Sequence, residues 1–191
     1  MKTIQFKAAK REDFGKKGSK AIRRNAHIPC VIYGGGGTVH FSIDEKEVRP
    51  LIYTPNSYIV EFDIDGAKEI GVMRQVQFHP VREQILHIDF TRVIAGKPVT
   101  IEVPVRLTGN SAGVKLGGKL TLSKRKIFVS AMAEDLPDEL VVDVTNLELG
   151  KSISVGELNF DKLTLITPAS TVVCAVNMTR AARGAQAAAE K

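Results

Sequence analysis

At 191 residues the chain can form one large domain or two small ones, with enough interior to fold without a disulfide or metal staple. Its 43% hydrophobic and 25% charged residues exclude collagen, a fully disordered chain and a coiled-coil rod. The formal net charge of +6 favours a polyanionic partner.

Ile4 and Phe6 alternate with polar residues and predict a first strand; Gly15 and Gly18 then break the chain, and Ser19 is placed to cap a short helix from Lys20 to about Asn25. At helical spacing Lys16, Lys20, Arg23 and Arg24 form one basic stripe opposite Ala21, Ile22 and Ala26. Pro29 ends the helix, Cys30 to Tyr33 reads as a strand, and Gly34 to Gly37 as a flexible loop before a strand around Val39 to Ile43. Asp44 with Glu47 makes a capping box for an amphipathic turn interrupted by Pro50. Tyr58 to Ile64 alternates, Asp65-Gly66 marks a hairpin into Lys68 to Phe78, and Leu86 to Val93 is a further strand. Short strands with few helices predict a mainly β fold, a small mixed β-barrel over residues 1–95, joined by the linker at Ala95 to Pro98 to a β-rich second domain over 96–180. In that domain Val99 to Leu107 alternates cleanly, with Pro104 suited to a sheet edge. The runs Lys126 to Ala131, Leu140 to Val144, Ile153 to Val155 and Thr171 to Met178 are strand-like, and 181–191 reads as a disordered, alanine-rich tail.

The charge is unevenly placed. Residues 1–24 hold nine basic residues against Glu12 and Asp13, 97–126 holds seven against Glu102, and 134–161 holds eight acidic residues against Lys151. The basic N-terminal stripe lies on a helix, and Tyr33 follows as an aromatic able to pack on a sugar or base, which together favour nucleic-acid binding. Lys124-Arg125-Lys126 reads as an edge-strand gatekeeper.

Catalytic chemistry is not indicated. Gly113 to Lys119 spells a phosphate-binding loop as far as the lysine, but Leu120 stands where a magnesium-ligating hydroxyl belongs and a strand pattern follows, so a glycine turn is the better account. His27 with Cys30 has no second pair at zinc spacing, so no metal or other cofactor is expected. His87 and Asp89 lack a nucleophile, yet two residues apart on a strand they share a face, while Ile88 and Phe90 point into the core. Cys30 and Cys174 sit among apolar neighbours and read as reduced, buried thiols. Met1 to Lys7 has no secretory core, and the longest uncharged run, Leu163 to Thr179, is too short and polar for a membrane span, so a soluble cytoplasmic protein without a membrane partner is expected.

Arg11, Gly15 to Arg24, Ile28 to Gly34, Gln75 to Pro80 and His87 to Phe90, with Gly113 to Gly118 and Leu136 to Val144 in the second domain, together resemble one family over nearly the whole chain. It is the bacterial large-subunit ribosomal proteins that bind 5S rRNA, in the long form with an extra C-terminal domain, also called general stress protein CTC. The resemblance implies a six-stranded N-terminal barrel similar to the anticodon-binding barrel of glutaminyl-tRNA synthetase, membership of the large ribosomal subunit, and 5S rRNA, at the distorted helix called loop E, as partner. It places RNA contacts on Arg11, Lys16, Ser19, Lys20, Arg23, Tyr33, Arg74, Gln77, His87 and Asp89, with Lys17 an alternative to Lys16. Ala21 stands where the family commonly has arginine. Two other functions fit the same residues: a tRNA-anticodon module outside the ribosome, and a stress-related interaction protein. No partner is implied for the second domain.

Overall fold

Period-two alternation carries most of the chain into strands. A computed structural model describes residues 2–180, 182 and 183. Its first half runs β1 (Lys2–Lys10), α1 (Lys16–Arg24), β2 (His27–Tyr33), β3 (Val39–Asp44), α2 (Glu45–Ile52), β4 (Tyr58–Ile64), β5 (Ala67–Phe78) and β6 (Ile85–Arg92). These six strands close into a barrel in the order β1-β3-β2-β6-β5-β4. Closure comes from β1, which pairs parallel with β4 from Lys2↔Tyr58 to Ala8↔Ile64 and then antiparallel with β3 at Ala9↔Ser42. A closed barrel leaves no strand edge for another chain to extend.

The inward residues are Phe6, Ile28, Cys30, Ile32, Phe41, Ile43, Val60, Phe62, Ile64, Ile88 and Phe90, all buried. Val48 and Leu51 of α2 add to this core. Asp44 caps α2, its carboxylate accepting from the Lys46 N–H at 2.8 Å. Pro50 does not interrupt the helix as the sequence predicts: α2 continues through it to Ile52, and the Pro50 carbonyl is taken by the Thr54 hydroxyl at 2.7 Å. Asp65 and Gly66, both at positive φ, make the expected hairpin turn between β4 and β5.

The loop at Gly34 to Gly37 is not loose. Arg92 donates from Nη1 to the carbonyls of Gly34 (2.6 Å) and Gly37 (3.0 Å), while Nε and Nη2 grip Glu69 at 2.7 and 3.0 Å. The Arg92 side chain is only 11% exposed, so the pair is weakly screened. Arg92→Ala is therefore expected to raise amide hydrogen exchange at Gly34 to Thr38 on the order of tenfold. Unchanged exchange there would mean that the glycines hold the loop by themselves.

By its contacts the chain divides into two units: one up to Ile101 together with Ala131–Asp138, the other Glu102–Ser130 with Glu139 onward. The remaining elements are β7 (Val99–Thr108), α3 (Ala112–Lys115), β8 (Lys119–Leu122), β9 (Lys126–Ala131), β10 (Leu140–Asp143), β11 (Ser152–Ser154), a 3-10 turn (Val155–Glu157), β12 (Thr164–Leu165) and β13 (Val172–Asn177). They form a four-stranded sheet, β10-β7-β9-β12, and a three-stranded one, β11-β13-β8. Two sequence expectations change here. Strand β7 is interior, not an edge, and Pro104 is tolerated because β10 pairs with it only from Val105↔Leu140 onward. Lys124 to Lys126 likewise leads into the interior strand β9, with the Arg125 carbonyl accepting from the Val105 N–H at 2.9 Å.

The glycine-lysine run enters β8, not a phosphate-facing helix, and closes on itself through Gly118 N–H to the Gly113 carbonyl at 2.9 Å. The tail expected at 181–191 lies outside the described residues except for 182 and 183. There Thr179 Oγ1 accepts from the Ala182 N–H at 3.2 Å, and Ala182 is buried. No helix among the described residues is long and apolar enough to cross a membrane.

Candidate nucleic-acid interface

Helix α1 begins earlier than the sequence suggests. Gly15, at φ 91°, occupies the N-cap position with no side-chain cap, and Ser19 is inside the helix, its N–H bonded to the Gly15 carbonyl at 3.1 Å. The face turned to the barrel is also different: Gly18, Ser19, Ile22 and Arg23 are half-buried, whereas Ala21 and Ala26 are exposed. Gly18 is required by contact, since a Cβ there would stand 2.9 Å from the Asp13 carbonyl oxygen. Lys16, Lys20 and Arg24 remain exposed, one turn apart on the outer face, with Lys17 exposed beside them.

The first turn of this helix is charged against its own stability, whereas Arg23 and Arg24 suit the dipole of its last turn. The helix has no acidic residue, buries none of its side chains fully and carries Lys16 and Lys17 in the turn where the helix dipole is positive. Lys16, Lys20 and Arg24 repel one another at i, i+4 spacing. A polyanion lying along the outer face relieves both costs.

Arg23 and Arg11 do more than present charge. Arg23 Nη1 donates to the Leu86 carbonyl on β6 at 3.3 Å, fastening α1 to the barrel. Arg11 Nη2 bridges the Asp13 carbonyl (3.0 Å) and Ser19 Oγ (3.3 Å), so the two predicted contacts Arg11 and Ser19 engage each other. Arg11 Nε is buried and has no hydrogen-bond partner among the described residues.

The second part of the surface is the outer wall of β2, β6 and β5. Register sets Asp89 between Val31 and Gln75, His87 beside Gln77, and Tyr33 beside Thr91. Strand alternation turns Tyr33, Asp89, His87 and Gln77 outward on the same wall, while Cys30, Ile88 and Phe90 turn inward. Arg74 is the extra residue of a bulge between Met73 and Gln75, and is exposed.

His87 Nδ1 and Asp89 Oδ1 are 2.6 Å apart, with side chains 28% and 24% exposed. A carboxylate only accepts, so Nδ1 carries the proton and donates to Asp89. The bond fixes the Asp89 carboxylate, whose other oxygen remains an acceptor. Acceptors suit amino, imino and hydroxyl donors and do not suit phosphate oxygens.

Behind this wall, burial pushes the Cys30 thiol up, with the Arg11 charge opposing it; in β13 of the second unit burial also raises Cys174, and both are free thiols. A cavity of about 860 Å³ over β1, β4 and β5 is lined by Gln5, Lys7, Glu61, Asp63 and Lys68 among others, and holds none of the candidate residues. Sequence reasoning missed Gln75 and His40, which the strand pairing adds to the row His40, Val31, Asp89, Gln75. Their signal was the strand alternation, which becomes useful only once the pairing is known.

A model of the Ribosomal L25p family matches residues 6–90, and one of the ribosomal protein TL5 C-terminal domain matches 98–180. The protein from Bacteroides thetaiotaomicron called large ribosomal subunit protein bL25 is 48% identical over 196 positions, covering all of both chains. The chain belongs to the ribosomal L25p family. Proteins of the same name from Porphyromonas gingivalis (50% identical, 97% of each chain) and Parabacteroides distasonis (45%, covering 98% of this chain and 99% of that one) agree. This is a family of ribosomal proteins, not of enzymes, as the resemblance in the sequence implied. All ten residues assigned to RNA contact fall inside the L25p match at 6–90.

Proposed function

We propose that this L25p chain is a structural constituent of the large ribosomal subunit in the cytoplasm, and that its barrel binds 5S rRNA at a distorted, non-Watson-Crick helix. The observation that carries the reading is α1, whose Lys16, Lys20 and Arg24 repel one another and line up on its exposed face. Lys16, Lys20 and Arg24, with Lys17 at their side, hold phosphates. Arg23 anchors the helix to β6 and reaches the backbone with its remaining N–H groups, and Arg11 with Ser19 holds the entry to α1 in place. His87 and Asp89, flanked by Gln77 and Tyr33, read groups in the shallow minor groove of the RNA. Arg74 at the β5 bulge adds a cation on the same strand as Gln77.

The test is binding of the full chain to 5S rRNA as a function of salt. Affinity is expected to fall steeply, and Lys20→Ala should make the slope of log K against log [salt] shallower by about one unit. Arg23→Ala should cost more than Lys20→Ala, because the bond to the Leu86 carbonyl goes as well. A near-flat salt dependence would mean the stripe is only solvated. Salt-washed large subunits that fail to retain the chain on sedimentation would count against the ribosomal placement.

A further inference from the structure

Between β1 and α1 the chain displays a large apolar side chain that its own fold does not use. Phe14 is 64% exposed. A single exposed apolar residue means little by itself, but this one is held in place. Arg11 Nη2 ties down the Asp13 carbonyl, the Arg11 N–H donates to the His40 carbonyl at 3.1 Å, and Gly18 closes onto Asp13. The ring packs edge-on against His40, with centroids 4.9 Å apart and planes at 68°, which leaves most of its surface in solvent.

Its surroundings are those of the proposed interface on both sides. His40 pairs with Val31, Val31 with Asp89, and Asp89 with Gln75, so Phe14 stands at the β3 end of the outward row that contains Asp89. In the other direction the chain runs through Gly15 straight into Lys16 and Lys17. An aromatic ring between a line of cations and a row of polar groups suits a nucleotide, whose phosphate is gripped by the cations while its sugar and base supply the apolar surface. An apolar protein segment would have to bring its own acidic residues to neutralise α1.

We infer that Phe14 is a nucleoside-packing residue of this interface, its ring lying against the ribose or base of a nucleotide on the strand held by α1. The inference rests on the rRNA-binding reading and adds to it a contact that is neither ionic nor hydrogen-bonded. The position sits inside the L25p match, in the stretch between β1 and α1.

The chain contains no tryptophan, so Phe14→Trp in the full-length protein provides one indole at the site. On titration with 5S rRNA, stacking on a base quenches its emission, and burial against a ribose moves the emission to shorter wavelength; the two outcomes tell base from sugar, and either supports the inference. In parallel, Phe14→Ala should bind roughly tenfold more weakly than the parent. Its salt slope should match the parent's, because an uncharged ring releases no counterion, in contrast to Lys20→Ala. Phe14→Tyr should bind close to the parent. An indole unmoved at saturating RNA, or Phe14→Ala within twofold of the parent, overturns the inference and leaves the rRNA-binding reading standing. A parent chain that does not bind 5S rRNA overturns both.

Discussion

Phe62→Ala is expected to destabilise the barrel by about 4 kcal/mol, the largest loss foreseen for a single substitution in this chain. Phe62 is 1% exposed and is the hub of the aromatic core. Its ring centroid lies 4.9 Å from that of Phe41, 4.7 Å from Phe90 and 6.3 Å from Phe6. Truncation removes the ring's transfer energy and leaves a cavity bounded by three other rings on three different strands, which the closed hydrogen-bond ladder keeps from collapsing inward. For a domain of this size the loss corresponds to a fall of roughly 15–30 °C in the barrel's thermal midpoint. Amide exchange in β4, β5 and β6 reads the same effect without relying on fluorescence. A loss below about 1 kcal/mol would show that the neighbouring rings refill the space. Phe14→Ala, at an exposed position, should change stability by less than about 0.5 kcal/mol, so stability and RNA affinity separate the two phenylalanines.

The strands of the barrel were legible because burial on one face imposes a period of two, and Tyr58 to Ile64 is read residue for residue. What pairs with what was not legible. The parallel pairings of β1 with β4 and β2 with β6 join segments far apart in sequence, and nothing local encodes them. Helix α1 was misplaced at its start because Ser19 has the chemistry of a cap, whereas the actual N-cap position is a glycine selected by its positive φ. Its inner face was misread for a related reason: Gly18 packs on Asp13 and the Arg23 guanidinium fastens the helix to β6, where an apolar stripe was expected. In the candidate site, alternation put His87 and Asp89 on one face, but it gave no hint that they bond to each other, or that Arg11 supports Ser19. Long side chains choose partners in three dimensions, and spacing along the chain records only which ones share a side.

That bond changes what removal of Asp89 should do. Asp89→Ala is expected to cost on the order of 2 kcal/mol, near thirtyfold, in affinity for the distorted 5S helix. Part of this is the lost acceptor facing the RNA. The rest is indirect, because without Oδ1 the His87 ring loses the partner that holds it at Nδ1. The two residues should therefore couple: the double variant with His87→Ala should lose at least about 0.5 kcal/mol less than the sum of the single losses. Asp89→Asn separates charge from geometry, since its amide oxygen still accepts from Nδ1 while the side chain as a whole no longer repels phosphates; it should retain more affinity than Asp89→Ala. An ordinary duplex offers the α1 cations the same phosphates but lacks the distorted surface, so Asp89→Ala should leave binding to it unchanged or slightly tighter, a repulsive charge having gone. Lys20→Ala and Arg23→Ala should weaken binding to both RNAs. If Asp89→Ala and Arg23→Ala lose affinity for the two RNAs in the same ratio, there is no division between phosphate anchoring by α1 and readout by the β6 wall, and Asp89 serves the barrel by holding His87 against it.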